Sequence, residues 1–234
     1  MAAQGLNTLR GKAGRPFWPC CSFYRLALLD TLEILSLLAL AGLTLHWFNN
    51  QGQRARTALL ASHLQPFQIE RLMQQLTEAY MRALGEDDPA RQDQIWQLQA
   101  SAEEQLVRQF RDLARSFAQL PAPQARTLKW ALPGIDKVWP QATFDARRVL
   151  QVHADGIERA VRNEAGRSSR EKAYVLMAEM FLMQHSCHWF CRSKTIASAR
   201  MMAQHKTRYE QALLAVSAET RQAYLAVVNG LALG

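Results

Sequence analysis

A chain of 234 residues that is 49% hydrophobic, with 8 prolines and 11 glycines, has the composition of an ordinary folded protein and excludes low-complexity and collagen-like classes. Its net charge is +8, but the arginines alternate with acids and form no long block. That makes direct nucleic-acid binding a poor expectation and leaves attraction to an anionic membrane surface as the milder one.

The chain opens on a tail, residues 1–23, that has no period and carries Gly5, Gly11, Gly14, Pro16 and Pro19. It reads as flexible and basic. The stretch Tyr24–Phe48 follows and has no charge from Ile34 to Leu45. At 1.5 Å per residue it is roughly 37 Å long, enough to cross a hydrocarbon core of about 30 Å with some tilt. It is therefore expected to be a transmembrane helix. His46, Trp47 and Phe48 form an interfacial aromatic anchor at its far end. Asp30 and Glu33 lie in its first half on one helix face. They can sit at headgroup level, or meet a basic group on a partner helix. Arg10, Lys12, Arg15 and Arg25 precede the span without an acid. The positive-inside pattern then puts the N-terminus in the cytoplasm and residues 49–234 across the membrane, in the periplasm of a bacterium.

After the span the residues Asn49–Arg54 suggest a short break, and Arg54–His63 a helix. Pro66 can open a helix over Phe67–Leu84, whose Phe67, Leu72, Met73, Leu76, Tyr80 and Ala83 recur near a period of 3.6. Asp88-Pro89 is a cap followed by proline at the first helical position. The seam it opens, Ile95, Leu98, Ala102, Leu106, Phe110, Leu113, Phe117 and Leu120, suits a bundle or a partner helix. Residues 121–142 hold four prolines and read as a loop anchored by Trp130 and Trp139. Thr143 can cap a helix Phe144–Asn163. Ser168-x-x-Glu171 is a capping box for Ser169–Phe190. A long helix Lys194–Val216 and a shorter one, Ala218–Val228, complete the expectation. The fold class is all-α: one N-terminal transmembrane helix, then a bundle of about five or six helices. No strand pattern is evident.

Chemistry is sparse. No Gly-rich phosphate loop, G-x-S-x-G or H-E-x-x-H is present, so an enzyme is not expected. The one cluster is on a helix: His185, Cys187, His188 and Cys191, with Met177, Met180, Met201 and Met202 nearby. Such spacing can bind copper or zinc, and a metal or redox carrier built on 177–202 is one reading. The other is plain packing by Met, Phe and Trp. The same helix, Ala173–Cys191, has a single charge, Glu179, and also reads as a poor second span. The four cysteines, in the pairs Cys20-Cys21 and Cys187/Cys191, are not a disulfide framework. His63 and His153 are expected to be half-exposed, and Glu103-Glu104 solvated.

The patch Leu45–Leu60, with its aromatic pair, Gln51-Gly52 and an amphipathic basic run, resembles the junction in inner-membrane proteins of integrating conjugative elements. The resemblance implies an accessory part of a DNA-transfer, type IV secretion machine, and no catalytic residues. The expected function is a membrane-anchored structural or interaction subunit of an envelope complex, able to oligomerise, with other protein subunits as partners and no cofactor. Ile95, Leu98, Leu106, Phe110, Leu113, Phe117, Trp130 and Trp139 are its expected contact residues. A sensor-like ligand-binding bundle is the alternative.

Overall fold

The computed structural model describes residues 20–129 and 139–230, apart from the side chains of 20–30 and Pro140. The chain divides into two compact units, Met1–Trp47 and Phe48–Gly234. Helix α1 is Cys20–Leu64. The break expected over Asn49–Arg54 does not form. No proline interrupts that run, and one interior glycine, Gly52, costs only about 1 kcal/mol, less than restarting a helix.

In the first unit, α1 exposes Leu32, Ile34, Leu35, Leu37, Leu38, Leu40, Leu43 and Leu45. Ser36 and Thr44 donate their hydroxyls to the carbonyls of Glu33 and Ala41, at 2.7 and 2.8 Å, so their polarity is satisfied within the helix. Among the described residues α1 alone is long and apolar enough to cross a membrane.

The second unit is a helical bundle. The last turns of α1 bring Leu60 into its core, where α2 (Ile69–Leu84) and α3 (Pro89–Ala118) form an antiparallel pair. Asp88 caps α3 by accepting from the Ala90 amide at 3.0 Å, with Pro89 at the first position as expected. A single turn, α4 (Ala122–Ala125), leads to strand β1 (Arg126–Leu128). A 3-10 turn at Pro140–Ala142 leads to β2 (Thr143–Asp145), antiparallel to β1 with Thr127 opposite Phe144. This ribbon corrects the reading of 121–142 as loop and of Thr143 as a cap. Three-residue strands are too short to show an alternating pattern. Asp145 is the cap of the next helix, α5 (Ala146–Arg162), and accepts from the Arg147 amide at 2.9 Å.

Helix α6 (Ser169–Cys191) starts on the expected capping box and runs through the centre. It packs on α5, α7 (Lys194–His205) and α8 (Tyr209–Ala215), and contributes to both core clusters. Its burial answers the question of a second span: Ala173–Cys191 is apolar on every side because other helices surround it. Trp189 ties it to the ribbon by donating to the Leu128 carbonyl at 2.9 Å. The single helix expected over Lys194–Val216 is broken instead, because Lys206 turns left-handed at φ 53°. Helix α9 (Ala218–Asn229), capped by Ser217 and ended by Gly230 at φ 76°, closes over α5.

Candidate functional site

The His/Cys helix carries the candidate metal ligands, the alternative to plain packing, and the fold separates their side chains. His185 Nε2 is 3.0 Å from Ser198 Oγ, and its ring lies 4.7 Å from that of Tyr209. His188 Nδ1 faces the Arg200 guanidinium at 3.5 Å. The Cys187 thiol points at Met183 Sδ, 3.8 Å away, and Cys191 is buried towards α1, beside Thr57 and Arg56. Burial pushes the Cys187 thiol up to about 12 and raises that of Cys191, so neither favours the thiolate that binds metals. Burial, then Lys194 and His188, lowers His185 to about 4. Among the described residues no group of three or more His, Cys, Asp or Glu is placed to hold a metal ion. Met177, Met180 and Met201 are buried among apolar neighbours and serve as packing.

Sequence reasoning missed a buried polar seam between α5, α6 and α9. His153, expected half-exposed, is fully buried, with Nε2 2.9 Å from Ser186 Oγ. Ser186 donates its own proton to the Leu182 carbonyl at 3.0 Å, so the serine oxygen accepts and His153 carries its proton on Nε2. Burial lowers His153 to about 3, which keeps the ring neutral. About two turns away from Ser186 on α6, Glu179 is also fully buried. Its Oε1 accepts from the Ser217 amide at 3.3 Å, at the N-terminus of α9. Ser217 Oγ and Arg159 Nη2 both reach Thr220 Oγ1, each at 2.9 Å. Burial raises Glu179 to about 7 against the hydrogen bonds from Thr220 and Ser217 and the charge of Arg159. The carboxyl fits only because α5 carries Gly156 opposite it: a Cβ there would lie 2.5 Å from Glu179 Oε2. The sequence signal was a glycine inside an otherwise regular helix pattern. These groups lie in the closed core and bind helices together.

Glu103 is likewise inside and not solvated. It accepts from the Tyr80 hydroxyl and pairs with Lys172, which fastens α2, α3 and α6 at one point. The expected contact seam on α3 also needs correction. Leu106, Phe110, Leu113 and Phe117 are wholly buried in the protein's own core, so no partner can reach them. Only its first turns remain available: Leu98 is 74% exposed and Ile95 half-buried. Trp139 is 50% exposed, and Trp130 lies outside the described residues. Of the expected membrane residues, Glu33, His46, Trp47 and Phe48 are exposed, and the Asp30 side chain lies outside the description.

A groove of about 580 Å3 lies in the second unit, between the start of its share of α1 and the α4–β1 segment. Phe48, Ala55, Leu59, Pro123 and Leu128 make its walls apolar, and Arg56 and Arg126 add two guanidinium groups. Among the described residues no acid lines it. Among the described residues Arg126 makes no ion pair: Asp145, opposite it in the ribbon, is held by Arg147 at 2.6 Å. Arg192 flanks α1 by donating to Gln53 Oε1 at 2.8 Å. Among the described residues the lining is thus apolar with two arginines and offers no nucleophile or acid–base pair. Comparison with protein-family models, curated proteins and solved structures found no match for the chain.

Proposed function

We propose that the protein is a membrane-anchored interaction subunit of a bacterial envelope complex, with its N-terminus in the cytoplasm and the bundle across the membrane. One observation carries the anchor. From Leu32 to Leu45 the large apolar side chains of α1 are more than half exposed, on every side of the helix. Each such side chain left in water forgoes roughly 1.5–3 kcal/mol of burial. One partner helix covers one face, whereas a bilayer covers all of them. The absence of an open acid–base or nucleophilic constellation among the described residues favours a binding role over catalysis. The juxtamembrane resemblance at Leu45–Leu60 favours a conjugative DNA-transfer or secretion machine as the complex. Leu98, Ile95 and Trp139 are the contact residues left on the surface.

The test is fractionation of cells followed by alkaline carbonate extraction, with cysteine placed singly at Gln94 and Glu210 for labelling by an impermeant thiol reagent. The reading expects the chain to stay in the membrane pellet and both positions to label from the periplasmic side. Release by carbonate overturns the anchor, and labelling only after lysis overturns the orientation. Recovery of specific partners in mild detergent, lost on Leu98→Glu, supports the subunit role; a lone monomer at native expression levels refutes it.

A further inference from the structure

We infer that Glu33 pairs with a lysine or arginine on a membrane helix of a different protein, which docks on the stripe Glu33, Leu37, Leu40 and Thr44 of α1. The inference rests on the membrane-anchored reading and names the chemistry of its partner. All four residues belong to the first unit. At about 100° per residue, Leu37, Leu40, Thr44 and Trp47 point within about 40° of Glu33. Trp47 is the expected interfacial anchor, and Glu33 precedes it by about 21 Å of helix. A hydrocarbon core is about 30 Å thick, so Glu33 leaves the helix about 9 Å inside the opposite face. Tilting the helix places it deeper. Its side chain slants towards that face but reaches only about 5 Å. Asp30, about 4.5 Å nearer the face, can reach the headgroups.

Glu33 is exposed and makes no ion pair among the described residues. Thr44, on the same stripe, donates its hydroxyl to the Ala41 carbonyl, and the neighbouring Ser36 donates to the Glu33 carbonyl. The Glu33 carboxyl is therefore the group on this stripe that still needs a partner. An acid in hydrocarbon is costly when alone, and so is a basic side chain; hydrogen-bonded to each other, they offset that cost. A second copy of this chain cannot supply the cation. Inserted in the same direction it sets Glu33 against Glu33, and from Leu26 to Gln53 the sequence has no Lys or Arg. The occupant that fits is an apolar helix with one Lys or Arg within about two turns of its end at the same face. The long stem of such a residue lets its charge adjust in depth to meet the carboxyl.

The test is photocrosslinking of the full chain in living cells, with benzoylphenylalanine placed singly at Leu37 or Leu40 on the stripe and at Leu35 or Leu38 on the far side. Yields are counted only on chain that resists carbonate extraction, so failed insertion does not enter them. Leu37 and Leu40 are expected to capture one protein, and Leu35 and Leu38 to capture none. Sequencing of the captured peptide is expected to show an apolar segment with a Lys or Arg near one end. Glu33→Gln keeps the shape and removes the charge; it is expected to lower the yield about fivefold or more, the weight of one interhelical polar contact. Thr44→Val alters the same stripe without touching the acid and is expected to change nothing. Capture of a second copy alone, capture equal on both sides, or a captured segment without Lys or Arg overturns the inference and leaves the anchor standing. Equal yields from Glu33→Gln and the wild type do the same. Release of the chain by carbonate overturns the anchor and this inference together.

Discussion

Replacing Gly156 by alanine is the sharpest probe of the buried seam, because two familiar effects oppose each other there. Inside an ordinary helix, alanine is better than glycine by about 1 kcal/mol. At this position the new Cβ would lie 2.5 Å from Glu179 Oε2, 2.6 Å from Thr220 Oγ1 and 2.9 Å from Glu179 Cδ. Neither neighbour can step aside cheaply. Glu179 holds the Ser217 amide, and Thr220 accepts from Arg159 and Ser217. Overpacking a core costs roughly 1–3 kcal/mol, and breaking one buried hydrogen bond about 1–3 more. Less the helix gain, Gly156→Ala is expected to destabilise the bundle by about 1–5 kcal/mol. Urea unfolding of the detergent-solubilised chain, followed by circular dichroism, reads this as a lower midpoint at unchanged m-value. In a Glu179→Ala background two of the three contacts disappear. The same substitution should then cost at least about 1 kcal/mol less, a coupling that a double-mutant cycle isolates. A Gly156→Ala chain as stable as the wild type, or an equal cost in both backgrounds, refutes the packing argument.

Further expectations follow from the same geometry. Glu179 titrates near 4.5 when unfolded and at about 7 when folded, so the folded chain holds the extra proton between those values and this group's contribution falls as pH rises through that window. His153 and His185, lowered to about 3 and 4, act in the opposite sense, losing stability as pH falls below about 6.5. The stability of Glu179→Gln relative to wild type should therefore climb from pH 4.5 to 7, by up to about 3 kcal/mol, and a flat difference would show that the carboxyl is solvated. Phe110→Ala should cost about 3–5 kcal/mol in the same unfolding assay and Leu98→Ala less than about 0.5, whereas similar small costs at both would restore α3 as an unfilled contact seam. With Cys20 and Cys21 changed to serine, the native chain at pH 7.5 should react with a thiol reagent far more slowly than the urea-unfolded one, since burial raises both remaining thiols. Equal rates would place Cys187 and Cys191 at the surface.

Much of the architecture could be read directly. Asp88-Pro89, Ser168-x-x-Glu171 and Ser217 mark helix starts by local hydrogen bonding, which needs no knowledge of the rest of the fold. The apolar run of α1 and the seam of α3 are likewise patterns within one element. The short ribbon was illegible because its strands are held by pairing with each other across the intervening chain. The break at Lys206 was illegible because no glycine or proline announces a lysine at positive φ.

The candidate sites were less legible still. Spacing along one helix put His185, Cys187, His188 and Cys191 within reach of one another, but what lies across from each is set by other elements. Ser198, Met183, Arg200 and Thr57 each take one of them. The groove needed the start of the second unit's α1 beside the α4–β1 segment, residues some seventy positions apart. By itself the sequence determined a helical chain with one apolar helix long enough to cross a membrane, since length, hydropathy and caps are local properties. Only the tertiary structure decided which acids and histidines are buried, that Glu179 rests on Gly156, and where two arginines share an apolar groove. Burial and long-range pairing are properties of what surrounds a residue, and that surrounding is written in distant parts of the chain.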